Sequence, residues 1–419
     1  MERTLGLYIH IPFCASKCGY CDFYSLAGQE RRMPDYEEAL CAHIEESAGA
    51  LAPYVIDTVY FGGGTPSFFG AKRLCSVFNT LKRTARVKKS AEVTIEMNPD
   101  SVDLKSLRLL RREGVNRISL GAQSANDDIL RLIGRRHSWR QVEQAVGLIR
   151  QAGFDNLSLD LIYGLPSQTK RDWTDTLGRA MALQPEHISC YGLKLEEGTP
   201  LYRYHDSPAL PDDDEQADMY LYTVEELERC NYHQYEISNF SLPGKESRHN
   251  LKYWRRQEYM GFGPGAHSFV GSVRYSYVRD LCGYLDGVAG KRDILDEYSR
   301  IEGMECGSEY IMLGLRTTHG ISEQEYCRAY RSSFAPIEEE LKSFVRKGWA
   351  VRQGDRWRFT SSGFLLSNLL IGRLLAAQAE EKRIAVPWVR QDPAEVFGEK
   401  TELPPGDDVF YRAADMERR

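Results

Sequence analysis

Apolar, β-branched runs recur along this chain with amphipathic stretches between them, and that rhythm constrains the fold more than any other feature. LGLYIHI near Leu5, VIDTVYF near Val55, AEVTIEM near Ala91, RISLGA near Arg117, NLSLDLIYG near Asn156, HISCYGLK near His187 and QYEISNF near Gln234 read as strands. DYEEALCAHIEESAGAL, AKRLCSVFNTLKRTA, SVDLKSLRLLRREG and SWRQVEQAVGLIRQAG read as the helices between them. Six or seven such units predict an α/β chain whose parallel sheet forms an open or closed barrel. Gly and Pro cluster where the strands end, at Pro12, Gly62 to Gly64, Pro99, Gly121, Gly164 and Pro166. In such folds chemistry collects at the carboxyl ends of the strands. Near Gly303 the rhythm changes to helices, a Gly-Asp hairpin and a further helix, the order of a small winged-helix-like appendage. The expected division is therefore a barrel over residues 1–300, an appended domain over 301–378, and a peripheral tail over 379–419 that is rich in charge and proline and partly disordered.

Composition excludes several classes. The 419 residues, 42% hydrophobic and 27% charged with a net charge of -6, are those of a globular chain, not of a disordered or fibrous one. The longest apolar stretch, Phe364 to Ala377, is broken by Asn368 and Arg373, so no spanning helix is expected. The opening MERTLGLYIHIPFC lacks the apolar core of a secretion signal, and a cytoplasmic location is expected. With no basic block, nucleic acid is not an expected ligand, and the appended helix and wing carry balanced charge.

Ten cysteines in such a chain do not suggest a disulfide framework. Seven are scattered singly (Cys41, Cys75, Cys190, Cys230, Cys282, Cys306, Cys327) and read as small buried hydrophobes. Cys14, Cys18 and Cys21 form C-x3-C-x2-C directly after the first strand. Three thiolates leave one position of a four-ligand site unfilled, as in an iron–sulfur cube with one iron open to a chelating ligand. The other reading is zinc completed by a borrowed histidine, His10 being nearest, although the paired C-x2-C knuckles usual for zinc are missing.

This spacing in this place resembles the radical S-adenosylmethionine (SAM) superfamily. YIHIPFCASKCGYCDF, FGGGTPS, EMNPDS, GVNRISLGAQS, LDLIYGLPSQT and GFGPGAHSF then follow in the order seen in the oxygen-independent coproporphyrinogen III dehydrogenase-like (HemN-like) group, from about Leu5 to Leu370. The resemblance implies a radical SAM-type partial (β/α)6 barrel with a small C-terminal winged-helix-like domain. It implies a [4Fe-4S] cluster on Cys14, Cys18 and Cys21, with SAM on the fourth iron. It further implies SAM contacts from Tyr8, Tyr20, Gly63, Gly64, Thr65 and Glu96, and from Gln123, Arg135 and Asp160, which match positions that hold a second SAM in the dehydrogenase. Each of these also has a plain structural alternative: a core tyrosine, a turn glycine, or an Arg–Asp pair bracing strands.

Two departures separate the branches of the group. The dehydrogenases carry a further cysteine two positions after the third ligand, where this chain has Phe23, and a long N-terminal extension, where only seven residues precede Tyr8. Both features look like the heme-chaperone branch. HNLKYW, with His249, Tyr253 and Trp254, resembles a motif associated with heme there. An imidazole suits iron and the two rings offer flat surfaces for a macrocycle, while His267 and cysteine side chains are rival ligands; coming just after the QYEISNF strand and the SLPGKESR loop, His249 is expected to reach the cavity mouth. The expected function is a heme chaperone that binds the cluster, SAM and heme, and hands heme to acceptors, implied to be heme-dependent respiratory proteins. A flavodoxin- or ferredoxin-type reductant and transient membrane contact are compatible with it. The alternative is oxidative decarboxylation of coproporphyrinogen III by a radical SAM dehydrogenase.

Overall fold

Strand β1 (Thr4–Ile11) shows how alternation builds the sheet. Leu5, Leu7, Ile9 and Ile11 face the outer layer and are fully buried, whereas Gly6, Tyr8 and His10 face inward. A computed structural model of the chain describes residues 2–384, with side chains through residue 379. After β1 come β2 (Val55–Gly63), β3 (Arg86–Met97), β4 (Arg117–Gln123), β5 (Leu157–Tyr163) and β6 (His187–Gly192), each parallel to the one before. Helices α1 (Met33–Glu46), α2 (Ala71–Thr84), α3 (Leu104–Glu113), α4 (Trp139–Gln151), α5 (Lys170–Ala182) and α6 (Asp213–Arg229) follow the six strands in turn. This is the expected partial (β/α)6 barrel. Capping boxes start α4, α5 and α6 at Ser138/Gln141, Thr169/Asp172 and Asp212/Glu215, so each helix begins where its sequence says it should.

One strand reading needs correction. QYEISNF is not a seventh parallel strand but a tight antiparallel pair, β7 (His233–Glu236) and β8 (Asn239–Ser241), with β8 closing antiparallel on β6. Ile237 and Ser238 turn the chain, a break that a continuous apolar-polar run conceals. Helix α7 (Arg248–Trp254) follows. The seventh parallel strand is β9 (Tyr259–Phe262), placed on the far side of β1, and β10 (His267–Val270), β11 (Val273–Tyr277) and β12 (Leu295–Arg300) extend that edge, with α8 (Leu281–Ala289) between the last two. The order β12-β11-β10-β9-β1-β2-β3-β4-β5-β6-β8-β7 is linear, so the barrel is open.

Beyond it lie α9 (Met304–Gly314), β13 (Ile321–Ser322), α10 (Glu323–Tyr330), α11 (Ala335–Arg346), the hairpin β14 (Ala350–Gln353) and β15 (Arg356–Phe359), and α12 (Ser367–Ile384). The sheet order β13-β15-β14 and the helices before the hairpin make the winged-helix arrangement that the sequence suggested. Its core, with Ile311, Leu341, Phe344 and Trp357, includes Tyr220 of α6 and so is continuous with the barrel's outer layer. Helix α12 runs past residue 378, and the tail beyond Ile384 lies outside the described residues. No described helix is long and apolar enough to cross a membrane.

Glu309 of α9 ties the two parts together: it takes Arg256 Nε at 2.9 Å and Arg274 Nη1 of β11 at 2.5 Å. Burial pushes its carboxyl up, but the bonds from the two arginines outweigh that and hold it below the ordinary value. A carboxylate held low stabilises the fold above its unfolded pKa, and that contribution is lost as pH falls through the folded one. Glu309→Gln should therefore cost about 2 kcal/mol in urea unfolding at pH 7, less than a fully buried pair because Arg274 is partly solvated. The gap between parent and variant should narrow as pH falls below 4.5, the ordinary value from which the carboxyl is lowered.

Candidate cluster and cofactor site

The inward face of the barrel is polar, and it encloses a cavity of about 680 Å³ that opens at the carboxyl ends of the strands. The cysteine loop lies over that end. Phe13 and Cys14 pair with Leu26 and Ala27, pinning the loop's two ends to each other. Gly19 N–H donates to the Ile133 carbonyl at 2.9 Å and the Gly19 carbonyl accepts from Leu201 N–H at 2.8 Å, pinning its middle. Cys14, Cys18 and Cys21 all line the cavity. Burial pushes the Cys14 and Cys21 thiols up, while Thr65 Oγ1 lies 3.3 Å from Cys14 Sγ. Among the described residues no three His, Cys, Asp or Glu side chains gather closely enough to clasp a single ion. His10 is turned away from the loop's sulfurs: Nδ1 meets Tyr8 Oη at 3.1 Å and Nε2 meets the Tyr24 carbonyl at 2.8 Å. Burial lowers its pKa to about 4. Of the scattered cysteines, Cys75 and Cys190 are buried as expected, but Cys282 and Cys327 are exposed. Their spacing in sequence carries no burial signal, and the expectation fails for them.

The residues matched to SAM contacts come together around this cavity. Gly63 has φ +111°, and a Cβ there would sit 2.6 Å from the His10 ring; one on Gly64 would sit 2.7 Å from the Phe13 carbonyl. Position 63 is glycine because of its positive φ and the His10 ring of β1, and position 64 because the start of the cysteine loop packs directly on its backbone. Glu96, at the end of β3, accepts from Tyr60 Oη at 2.7 Å and from Gly63 N–H at 3.2 Å. Burial dominates its titration and raises the carboxyl to about 7, against the pull of the Tyr60 bond. On β4 a bulge at Ala122 shifts the register, and Gln123 takes φ +64°, a strained conformation for a residue with a Cβ. Arg135 Nη2 donates to Asn98 Oδ1 at 2.9 Å and to the Gly121 carbonyl at 2.6 Å, with Nη1 3.5 Å from Cys18 Sγ. Its buried Nε has no partner. Asp160 accepts from three serines, Ser119 at 2.8 Å, Ser158 at 3.2 Å and Ser189 at 2.7 Å, and makes no pair with Arg135. Arg135 and Asp160 therefore do not brace strands as a pair with each other; each is tied separately to neighbouring strands.

Helix α7 places the motif histidine elsewhere than a cavity mouth. Glu92 of β3 accepts the backbone N–H groups of Arg248 and His249 at 3.0 and 2.9 Å, holding the helix's positive end against the amino-terminal end of the barrel. His249 is 1% exposed, with Nδ1 2.8 Å from Thr58 Oγ1 and Nε2 2.8 Å from Tyr253 Oη. Burial, then the charges of Lys252 and Arg117, lowers its pKa to about 3. His249 and Tyr253 line the cavity at its deep end, so the expectation that His249 reaches the mouth is corrected. Tyr253 meets it edge-on, with ring centroids 5.1 Å apart, as their one-turn spacing predicts. Trp254 is not part of the cavity wall.

Sequence reading missed Tyr60, Asn98, Arg117, His187 and Tyr235, all of which line the cavity. Tyr60, Arg117 and His187 stand at alternating positions on strands already identified, so the inward phase of each strand was the signal that marks them.

A partial parallel barrel with a three-cysteine loop over the carboxyl ends of its strands defines the radical SAM class. The sequence pattern of the Radical SAM superfamily matches residues 8–180, and that of the HemN C-terminal domain matches residues 305–366. Heme chaperone HemW of Bacillus subtilis (strain 168) is 34% identical over 372 residues, 88% of this chain and 98% of that protein. Heme chaperone HemW of Escherichia coli (strain K12) is 32% identical over 378 residues, 89% and 98% of the two chains. The solved coproporphyrinogen III oxidase (HemN) of Escherichia coli, a radical SAM enzyme, shares the fold at a TM-score of 0.79 and 24% identity, covering 90% of each chain. The chain belongs to the HemW family of the radical SAM superfamily.

Glu96 gives a pH test of this geometry. A carboxyl raised from 4.5 to about 7 binds more protons in the folded state than in the unfolded one between those values, so stability falls as pH rises through that window. In the ligand-free protein the melting temperature should drop between pH 4.5 and 7, and Glu96→Gln should flatten the drop. A thermal melt series in matched buffers measures both.

Proposed function

We propose that this protein is a heme chaperone, carrying a [4Fe-4S] cluster and SAM in the barrel and passing heme to heme-dependent acceptor proteins. The observation that carries the reading is the near-full-length likeness to HemW relatives, joined to an exposed Phe23 (70% exposed) where the dehydrogenases have a further cysteine. Cys14, Cys18 and Cys21 would hold the cluster. The Arg135 guanidinium beside Cys18 suits an anionic, sulfur-rich group. When bound, the cluster and SAM supply one-electron chemistry that no side chain can.

The chain's own residues would do the positioning. Gly63 and Gly64 let backbone approach the SAM amino acid portion, with Thr65, Tyr8 and Tyr20 around it, and Glu96 would take the ribose hydroxyls. Gln123, Arg135 and Asp160 would hold further polar groups of SAM or of a second SAM. His249 and Tyr253 would meet heme only at the deep end, and iron ligation by His249 requires giving up its bond to Thr58 or Tyr253. Trp254 would act on heme only through its helix. We assign the barrel to residues 1–300 and the appended unit to 301–378 as working boundaries. A cytoplasmic site of action, a flavodoxin- or ferredoxin-type reductant and transient contact with membrane-bound acceptors complete the reading.

Anaerobic reconstitution followed by parallel assays tests it. The reconstituted protein should bind heme, read as a Soret shift, and should not convert coproporphyrinogen III to protoporphyrinogen with SAM and reductant present. Multiple turnover in that assay would assign it to the dehydrogenases instead. Separately, serine at Cys14, Cys18 or Cys21 should abolish the cluster's broad visible absorbance, whereas serine at Cys41 or Cys75 should leave it intact. Full iron and sulfide content in Cys18→Ser would remove these residues as ligands.

A further inference from the structure

The deep end of the cavity holds a cation with no counter-ion. Arg117, the first residue of β4, is 2% exposed and lines the cavity wall. Among the described residues no carboxylate lies within the 4.0 Å that defines an ion pair with it, and its Nε has no hydrogen-bond partner. In register beside it stands Thr94 of β3, whose fully buried hydroxyl also has no partner. The rings around it are neutral: burial keeps the His187 and His249 imidazoles well below their ordinary pKa and the Tyr60 and Tyr235 hydroxyls well above theirs. His187 is hydrogen-bonded to Ser158 and Tyr235, each at 2.8 Å, and an imidazole, neutral or protonated, offers a guanidinium no negative charge. Glu96, the carboxyl nearest in effect, is committed to Tyr60 and the Gly63 amide.

A buried cation left alone is destabilising, and proteins keep one where a ligand neutralises it. A guanidinium withdrawn from bulk solvent into a polar pocket favours a carboxylate, which it can grip through two parallel bonds. We infer that the floor of the cavity is a carboxylate receptor, with Arg117 as its cation. The inference rests on the proposed cargo and cofactor in one respect: heme brings propionates and SAM brings a methionyl carboxylate, and either satisfies the same chemistry.

The test compares each ligand with a form that lacks the charge, on the full-length, cluster-reconstituted protein. Heme is set against heme dimethyl ester by Soret titration, and SAM against decarboxylated SAM by equilibrium dialysis. The parent should favour the carboxylate member of one pair by about tenfold or more, and that pair names the source. Arg117→Met should erase the preference, Arg117→Lys should keep part of it, and the melting temperature of ligand-free Arg117→Met should not fall, because the variant removes an unpaid charge. If the parent shows no preference in either pair, or a folded Arg117→Met retains it, the inference is wrong and the floor holds ordered water only. A parent that binds no heme at all refutes the chaperone reading, and the SAM pair still decides the role of Arg117.

Discussion

The structure depends on a parallel sheet whose inward face is polar. A parallel sheet is normally covered by apolar layers on both faces, and here the outer face follows that rule: Leu5, Leu7, Ile9 and Ile11 on β1 sit under helices with no exposure. The inner face instead presents Tyr8, Tyr60, Glu96, Arg117, Asp160 and His187 to a cavity. Such a lumen is stable only if its groups find partners in each other, in backbone amides, or in a ligand. The three serines around Asp160 and the Tyr60 and Gly63 bonds to Glu96 are partners of the first two kinds. The Nε atoms of Arg117 and Arg135 are among those that remain.

The elements that finish the barrel answer to that face. The cysteine loop needs a glycine at 64 because its first residues descend onto the backbone just past β2, and Gly63 leaves room for the His10 ring of β1. Helix α7 needs Glu92 because its amino end is driven against β3, where unsatisfied N–H groups would otherwise be sealed from water. Edge strands β7 and β12 flank an unclosed sheet, and Arg300 and Asp296 on β12 are the charged residues expected of an unpaired edge.

Much of this was legible in the sequence because the outer face speaks in period 2 and the helices in period 3.6. β1 to β6, the helices after the first four of them and the winged appendage follow from that alternation, and the cysteine triplet lies at the carboxyl ends of the strands, where chemistry was expected to collect. The failures have physical causes. QYEISNF kept the strand pattern through a two-residue turn, since Ile237 and Ser238 are ordinary in either conformation. His249 was placed at the mouth because its distance from a strand in sequence says nothing about which end of the barrel a short helix will cover; Glu92, 157 residues away, decides it. Arg117 sat unnoticed in RISLGA because a charged residue opening a strand looks like a solvated end, and only the closed lumen makes it a buried one.

Because α7 lies across the amino-terminal end of the barrel, the lumen is a blind passage with its entrance beside the cysteine loop. A group seated against the far wall would lie behind anything held at the cysteine loop. Loading and release would then have an order: the deepest occupant enters before the rim is filled and leaves after the rim is cleared, so that a ligand at the rim would act as a stopper for whatever lies behind it.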